Sequence, residues 1–242
     1  MQSKLNQAER LAAVGELAAG VAHEVNNPIN TIINCAQLVK DGDDLQENCD
    51  TIISEGERIA VIVRDLLQFA RDDRESPQST SIADVVHRTV RLIGENFRRH
   101  GIALRVELPQ VARPVKASPQ QLQQVLLNVL MNAKDAIAQQ GVRPESAVTI
   151  LAQETTTPAR GMLLMVRDNG PGVAENLRTR LFEPFVTTKR AKGGTGLGLS
   201  ISKSIVESYG GTIELHDAPG GGAEFRVWLQ AEEPEVGHDP VD

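Results

Sequence analysis

His23 lies beside Glu24 in the run A-H-E-V-N-N-P, Ala22 to Pro28. A neutral imidazole near its ~6.5 reference pKa is a usable nucleophile at cell pH, and a neighbouring carboxylate can orient or accept its second ring proton. Three further clusters, a hundred residues and more downstream, suit a polyanionic ligand. Asn128 and Asn132 stand four apart, so on a helix they share a face and present carboxamide oxygens to a hydrated cation or a phosphate. In D-N-G-P-G, Asp168 to Gly172, a carboxylate at a strand end can accept a hydrogen bond from an exocyclic amine, while Gly170 and Gly172 let backbone approach a flat ligand. In K-G-G-T-G-L-G-L-S, Lys192 to Ser200, glycines lead into a helix start, where unpaired amides and the positive helix end favour an anion. Taken singly, each has a plainer reading: a surface histidine, a chance asparagine pair, an ordinary turn. The glycine run is no Walker loop, since no G-K-S or G-K-T follows, and the polar T-T-K-R-A-K before it is no dinucleotide-binding strand. Asn27, four after His23, rules out a paired-histidine zinc motif.

These residues need elements to hold them. Leu11, Val14, Ala18, Val21, Val25, Pro28, Ile32, Cys35 and Val39 alternate three and four apart, the seam of a helix that packs on other helices. His23 falls off that seam, towards solvent, and Pro28 loses a backbone donor and predicts a kink. After the polar turn Asp41 to Asp44, a second seam runs through Leu45, Cys49, Ile52, Gly56, Ile59, Val63, Leu66 and Ala70, giving an antiparallel hairpin. Ile53, Ala60, Ile62 and Leu67 widen its apolar face beyond what one helix covers, which predicts a homodimer built as a four-helix bundle. From Arg71 to Ser81 the chain turns polar, with Pro77 as a breaker. Helical patterns at Ile82–Arg99, Pro119–Gln139 and Gly198–Tyr209 then alternate with strand patterns at Ile102–Leu108, Val148–Ala152, Met162–Arg167, Thr212–His216 and Ala223–Leu229, an α/β sandwich. The expected division is a dimerisation and phosphotransfer domain over 1–75, a linker over 76–80, a ligand-binding domain over 81–231 and a disordered acidic tail over 232–242.

Composition narrows the function classes. The 242 residues are 40% hydrophobic, with no apolar run near the roughly 20 residues that span a bilayer. No membrane contact is expected of this segment, no signal peptide is apparent, and the location predicted is the cytoplasm, as a whole chain or as part of a longer sensor. Cys35 and Cys49 both sit on helix seams and read as small buried hydrophobes instead of a disulfide. A formal charge of -7 and 3% aromatic residues argue against a nucleic-acid partner.

In this order the motifs resemble the transmitter core of sensor histidine kinases of two-component signalling, over nearly the whole length. His23, Glu24, Asn27 and Pro28 are similar to the phospho-acceptor motif, and Asn128 to Ala133 to the asparagine box. D-N-G-P-G is similar to the first glycine box, Phe182 to Phe185 to the phenylalanine motif and Gly193 to Leu199 to the second glycine box. The H-E-V-N-N-P and N-A-K-D-A forms look most like the nitrogen-regulation type.

The resemblance implies the all-α hairpin followed by the gyrase, chaperone, histidine-kinase and MutL type of ATPase fold, with ATP and Mg2+ as cofactors. It implies that Asp168 binds the adenine amino group with Gly170 and Gly172 beside it, that Asn132 holds Mg2+, and that Asn128 supports that site. Gly194, Thr195, Gly196, Leu197 and Gly198 would wrap the phosphates, under a lid from Glu175 to Gly193. Lys189, Arg190 and Lys192 are lid cations for the phosphates or a solvated charge run, and Phe182 and Phe185 pin the lid or fill core. His23 would be phosphorylated with help from Glu24, then pass the group to an aspartate of a response-regulator receiver domain. Asn27 would orient a water for a phosphatase reaction. The rivals are a gyrase- or chaperone-like ATPase, which by family comparison carries a glutamate base where this chain has Asn128, and a nucleotide-binding scaffold without catalysis.

Overall fold

The computed structural model describes residues 25–70, 77–189 and 195–232. His23, Glu24, Arg190, Lys192, Gly194 and residues 233–242 of the acidic tail lie outside them. The described residues fall into two compact units, one within Met1–Asp73 plus Leu181–Ser200, the other within Arg74–Arg180 plus Ile201–Asp242.

The first unit holds helix α1 (25–40) and helix α2 (Leu45–Ala70). The turn between them follows from its residues: Gly42 takes φ +91°, which ends α1, and the Asp44 carboxylate accepts from the Glu47 amide at 3.0 Å, which starts α2. Helix α1 continues through Pro28, which is buried. Cys35 and Ile62 are buried, but Ile33, Ile53 and Val63 are 58%, 60% and 42% exposed. The seam expected through Val63 therefore turns inward one residue earlier, at Ile62.

The second unit is a sheet with helices on one face. Strand β1 (Gln78–Thr80) is followed by α3 (Ile82–Arg99), β2 (Ala103–Glu107), β3 (Val115–Ala117) and α4 (Pro119–Gln140). Then come β4 (Ala147–Thr155), β5 (Gly161–Asp168), the single turn α5 (Glu175–Arg178), α6 (Gly198–Ser208), β6 (Thr212–Asp217) and β7 (Ala223–Gln230). The five-stranded order is β2-β4-β5-β7-β6, parallel only between β2 and β4; β1 and β3 form a separate antiparallel pair. Serine caps start both long helices: Ser81 accepts from the Asp84 amide, and Ser118 accepts from the Gln121 amide with Pro119 at the first helical position.

Alternation assigns the sheet's two faces. Val148, Ile150, Met162, Val166, Phe225, Val227 and Leu229 are buried on the face covered by α3 and α4, whose Val86, Phe97, Leu126 and Leu130 complete the core. On the other face the fully buried Glu224 lies between Arg167 and Arg226, with bonds of 2.7 and 2.6 Å from their Nε atoms. Burial pushes the Glu224 carboxyl up, but the hydrogen bonds from Arg226 and Arg167 outweigh it and hold it below its ordinary range. Trp228, on this same face, lies across Gly161: a Cβ added there would come within 2.7 Å of the indole Cε2.

Two strand starts, Thr212 and Ala223, fall where predicted, and the other ends lie one to three residues away. Three short elements, β1, β3 and α5, were not expected. Gln78–Thr80 carries no apolar alternation and sits in what reads as linker; it is a strand because it pairs with Val115–Ala117, and because the Thr80 hydroxyl donates to the Ala117 carbonyl at 2.7 Å.

Candidate functional site

Asp168 ends β5 in register with Val148 of β4, and is 3% exposed. Its Oδ1 accepts from the Gly170 amide at 2.9 Å and from the Ala223 amide at 3.3 Å; Oδ2 has no hydrogen-bond partner among the described residues. Burial raises the carboxyl above its ordinary 3.8, and the two amides offset part of that rise. One oxygen is thus fixed by backbone and the other is left to accept from a ligand.

Glycines shape the space around it. At Gly222, with φ +98°, an added Cβ would overlap the Asp168 carbonyl oxygen and lie 3.0 Å from the Asn169 Cα. Gly172, with φ +75°, faces Gly222, and Gly170 lies against Ile137 of α4. Asn169 holds the loop to the sheet: Oδ1 accepts from the Ala147 amide at 2.9 Å, and Nδ2 donates to the Glu145 carbonyl at 2.7 Å.

Asn128 and Asn132 are half-buried on α4. The Asn128 Nδ2 donates to the Ser202 hydroxyl of α6 at 3.2 Å, and Ser202 is fully buried. An amide oriented this way turns its oxygen away from the serine. Among the described residues no group of three His, Cys, Asp or Glu side chains could hold a metal ion. The donors on offer on α4 are neutral carboxamides, which fit a Mg2+ that keeps waters and takes most of its charge compensation from phosphates.

The phenylalanine motif and the second glycine box meet within the first unit. The Phe185 amide donates to the Gly196 carbonyl at 3.1 Å, and Phe185 adopts φ 64°, uncommon for a side chain of its size. Gly196, φ +69°, is required there: an added Cβ would come within 2.6 Å of the Phe185 carbonyl carbon. The Leu197 amide donates to the Thr195 hydroxyl at 3.3 Å, the Lys189 amide to the Thr187 hydroxyl at 3.0 Å, and Gly198 opens α6. Asn27 is half-buried on α1, where its carbonyl accepts from the Thr31 hydroxyl at 3.2 Å.

So the second unit gathers Asp168, Gly170 and Gly172 at one strand end and carries Asn128 and Asn132 on α4. Sequence reasoning passed over four residues that shape this site: Asn169, Ser202, Gly222 and Ala223. The Asn-Gly pair was a visible signal for the first and the run G-G-G-A for the last two; Ser202 carried none.

The comparisons with known proteins agree with this geometry. Residues 117–233 match the family described as histidine kinase-, DNA gyrase B- and HSP90-like ATPases, and residues 13–75 match the His Kinase A (phospho-acceptor) domain. The chain belongs to the histidine kinases, and carries the phospho-acceptor domain and the ATP-binding domain that make up the transmitter core of two-component systems.

Among particular relatives, it is 39% identical over 227 residues to the C4-dicarboxylate transport sensor protein DctB of Rhizobium meliloti (strain 1021), covering 91% of this chain and 35% of that protein. It is 32% identical over 233 residues to the sensor histidine kinase ZraS of Escherichia coli (strain K12), covering 95% of this chain and 48% of that one. The chain thus spans about a third to a half of the length of these relatives. A crystal structure of the histidine kinase ThkA in complex with the response regulator protein TrrA superposes with TM-score 0.74 at 27% identity, over 96% of this chain and 66% of that one. Among the described residues no helix is long and apolar enough to cross a membrane.

Proposed function

We propose that the chain transfers the γ-phosphoryl group of ATP to His23 and then to an aspartate of a response-regulator receiver domain. The observation that carries this reading is the division of labour at Asp168, one oxygen locked by two amides and the other left for an amine, at a buried strand end walled by glycines. An adenine amino group is the donor that such an acceptor suits. Gly170 and Gly172 flank the base, while Lys189 and the run Gly194, Thr195, Gly196, Leu197 and Gly198 serve the phosphates. Asn132 would hold Mg2+ with Asn128 in support; when bound, the ion offsets phosphate charge.

Phosphoryl transfer asks for positioning and charge neutralisation more than covalent help. His23 Nε2 forms the N–P bond as the bond from the γ-phosphorus to its bridging oxygen breaks and ADP leaves, with Glu24 holding or accepting the other ring proton. The N–P bond is reactive enough for onward transfer to a receiver aspartate. That partner is supported by the relative ThkA, solved with the regulator TrrA. Asn27, one turn on from His23, would orient a water that removes phosphate from the regulator. The apolar side chains exposed at Ile33, Ile53 and Val63 support a homodimer closing a four-helix bundle. We place the phosphotransfer domain at 1–75, the catalytic domain at 81–231 and the segment in the cytoplasm.

Incubation with γ-labelled ATP and Mg2+ tests the reading. Acid-labile, base-stable label on the protein, absent from His23→Gln, is the expected outcome; label retained by that variant would sink the assignment.

A further inference from the structure

Among side chains not yet named for the site, one ties together both loops that hold Asp168. Arg178, on α5, donates from Nε to the Val173 carbonyl at 3.1 Å, in the residue directly after Gly172. Its Nη1 donates to Asp217 Oδ2 at 3.2 Å, and its Nη2 pairs with Asp217 Oδ1. Asp217 closes β6 and stands opposite Ala223 in the ladder, and the Ala223 amide is one of the two that lock Asp168 Oδ1. The connection closes on itself: Asp168, the glycine loop to Val173, Arg178, Asp217, Ala223, and back to Asp168.

Chemistry selects arginine for this place. A guanidinium offers a planar fork that meets both carboxylate oxygens and still has Nε free for a carbonyl, whereas an ammonium is a single point charge. Asp217 is 71% exposed on its side chain, and exposed ion pairs add little to stability. Global stability is therefore a poor account of a three-bond arrangement at this spot, and local geometry a better one. Asp217 lies below its ordinary carboxyl range chiefly through the Arg178 hydrogen bond, so the pair stays ionised at cell pH.

We propose that Arg178 and Asp217 are positioning residues that set adenine selectivity, by fixing the β6–β7 turn and the first glycine loop on either side of Asp168. This rests on Asp168 as the adenine acceptor. Neither residue touches the nucleotide; both act through the Ala223 amide and the Val173 carbonyl.

The test uses the full chain with Mg2+ and the non-hydrolysable analogues AMPPNP and GMPPNP, titrated by calorimetry, with thermal melts alongside. Arg178→Lys and Asp217→Asn should each weaken AMPPNP by about tenfold, the size of one lost charge-assisted bond, and GMPPNP much less. Melting should shift by no more than about 2 °C. Arg178→Lys binding AMPPNP as the parent does would overturn the proposal, as would equal weakening of both analogues or a larger fall in melting temperature. Asp168→Asn separates the two levels of argument. If it leaves AMPPNP binding intact, the adenine reading itself fails; if it abolishes binding while Arg178→Lys and Asp217→Asn do not alter it, only the positioning role fails.

Discussion

Two buried carboxylates in one domain are pushed in opposite directions, and their pH behaviour should differ accordingly. Asp168 is raised above 3.8 by burial, so in the folded protein it takes up a proton at a higher pH than in the unfolded chain. Its charge costs stability at neutral pH, and that cost is relieved as pH falls through the raised value. AMPPNP affinity should therefore drop as pH falls through that raised value, because the protonated acid is a poorer acceptor. Asp168→Asn should bind at least tenfold more weakly with a flat profile there, without loss of melting temperature. Glu224 has the reverse sign: its two arginines hold it below 4.5, so its contribution is present above 4.5 and lost as pH falls through the lowered value. Glu224→Gln should cost about 2 kcal/mol at pH 7, less than a fully buried pair because the arginines are partly wet. A melting temperature about 4 °C lower, with the gap closing in acid, would show it.

At the scale of elements, Gly221 and Gly222 offer a controlled comparison in the turn before β7. Both have positive φ, at 104° and 98°, so alanine strains either one similarly; only at Gly222 would the new Cβ meet the Asp168 carbonyl. Gly222→Ala should abolish AMPPNP binding where Gly221→Ala only lowers stability by about 1 kcal/mol, and equal loss of binding in both would show the close approach to be irrelevant. Much of this level was legible in advance. The helical patterns at Ile82–Arg99 and Pro119–Gln139 gave α3 and α4, alternation gave the five long strands, and D-N-G-P-G placed Asp168 at a strand end. What stayed hidden depends on pairing across the fold. Gln78–Thr80 is a strand only because Val115–Ala117 lies beside it. Gly222 looked like one of three interchangeable turn residues until the sheet brought it against Asp168. Ser202 was one more serine in an amphipathic helix until α4 came alongside with Asn128. The ring through Arg178 joins residues 39 apart, a distance at which no local pattern speaks.

For the whole molecule, two compact units predict two unfolding transitions with different sensitivities. Saturating AMPPNP with Mg2+, at about a hundred times its dissociation constant, should add ~2.7 kcal/mol to the transition of the part that holds Asp168. The hairpin's transition should instead rise with protein concentration, as a dimer's does. A single transition responding to both would contradict the division. Trp228, which lies across Gly161, is the chain's one tryptophan, and Tyr209 its one tyrosine, so both intrinsic fluorophores belong to the sheet unit. The helical hairpin is dark at those wavelengths. Indole emission therefore reads the state of the nucleotide domain without a label, while helical ellipticity reports on both, and the difference between the two signals isolates the part of the molecule that carries α1 and α2.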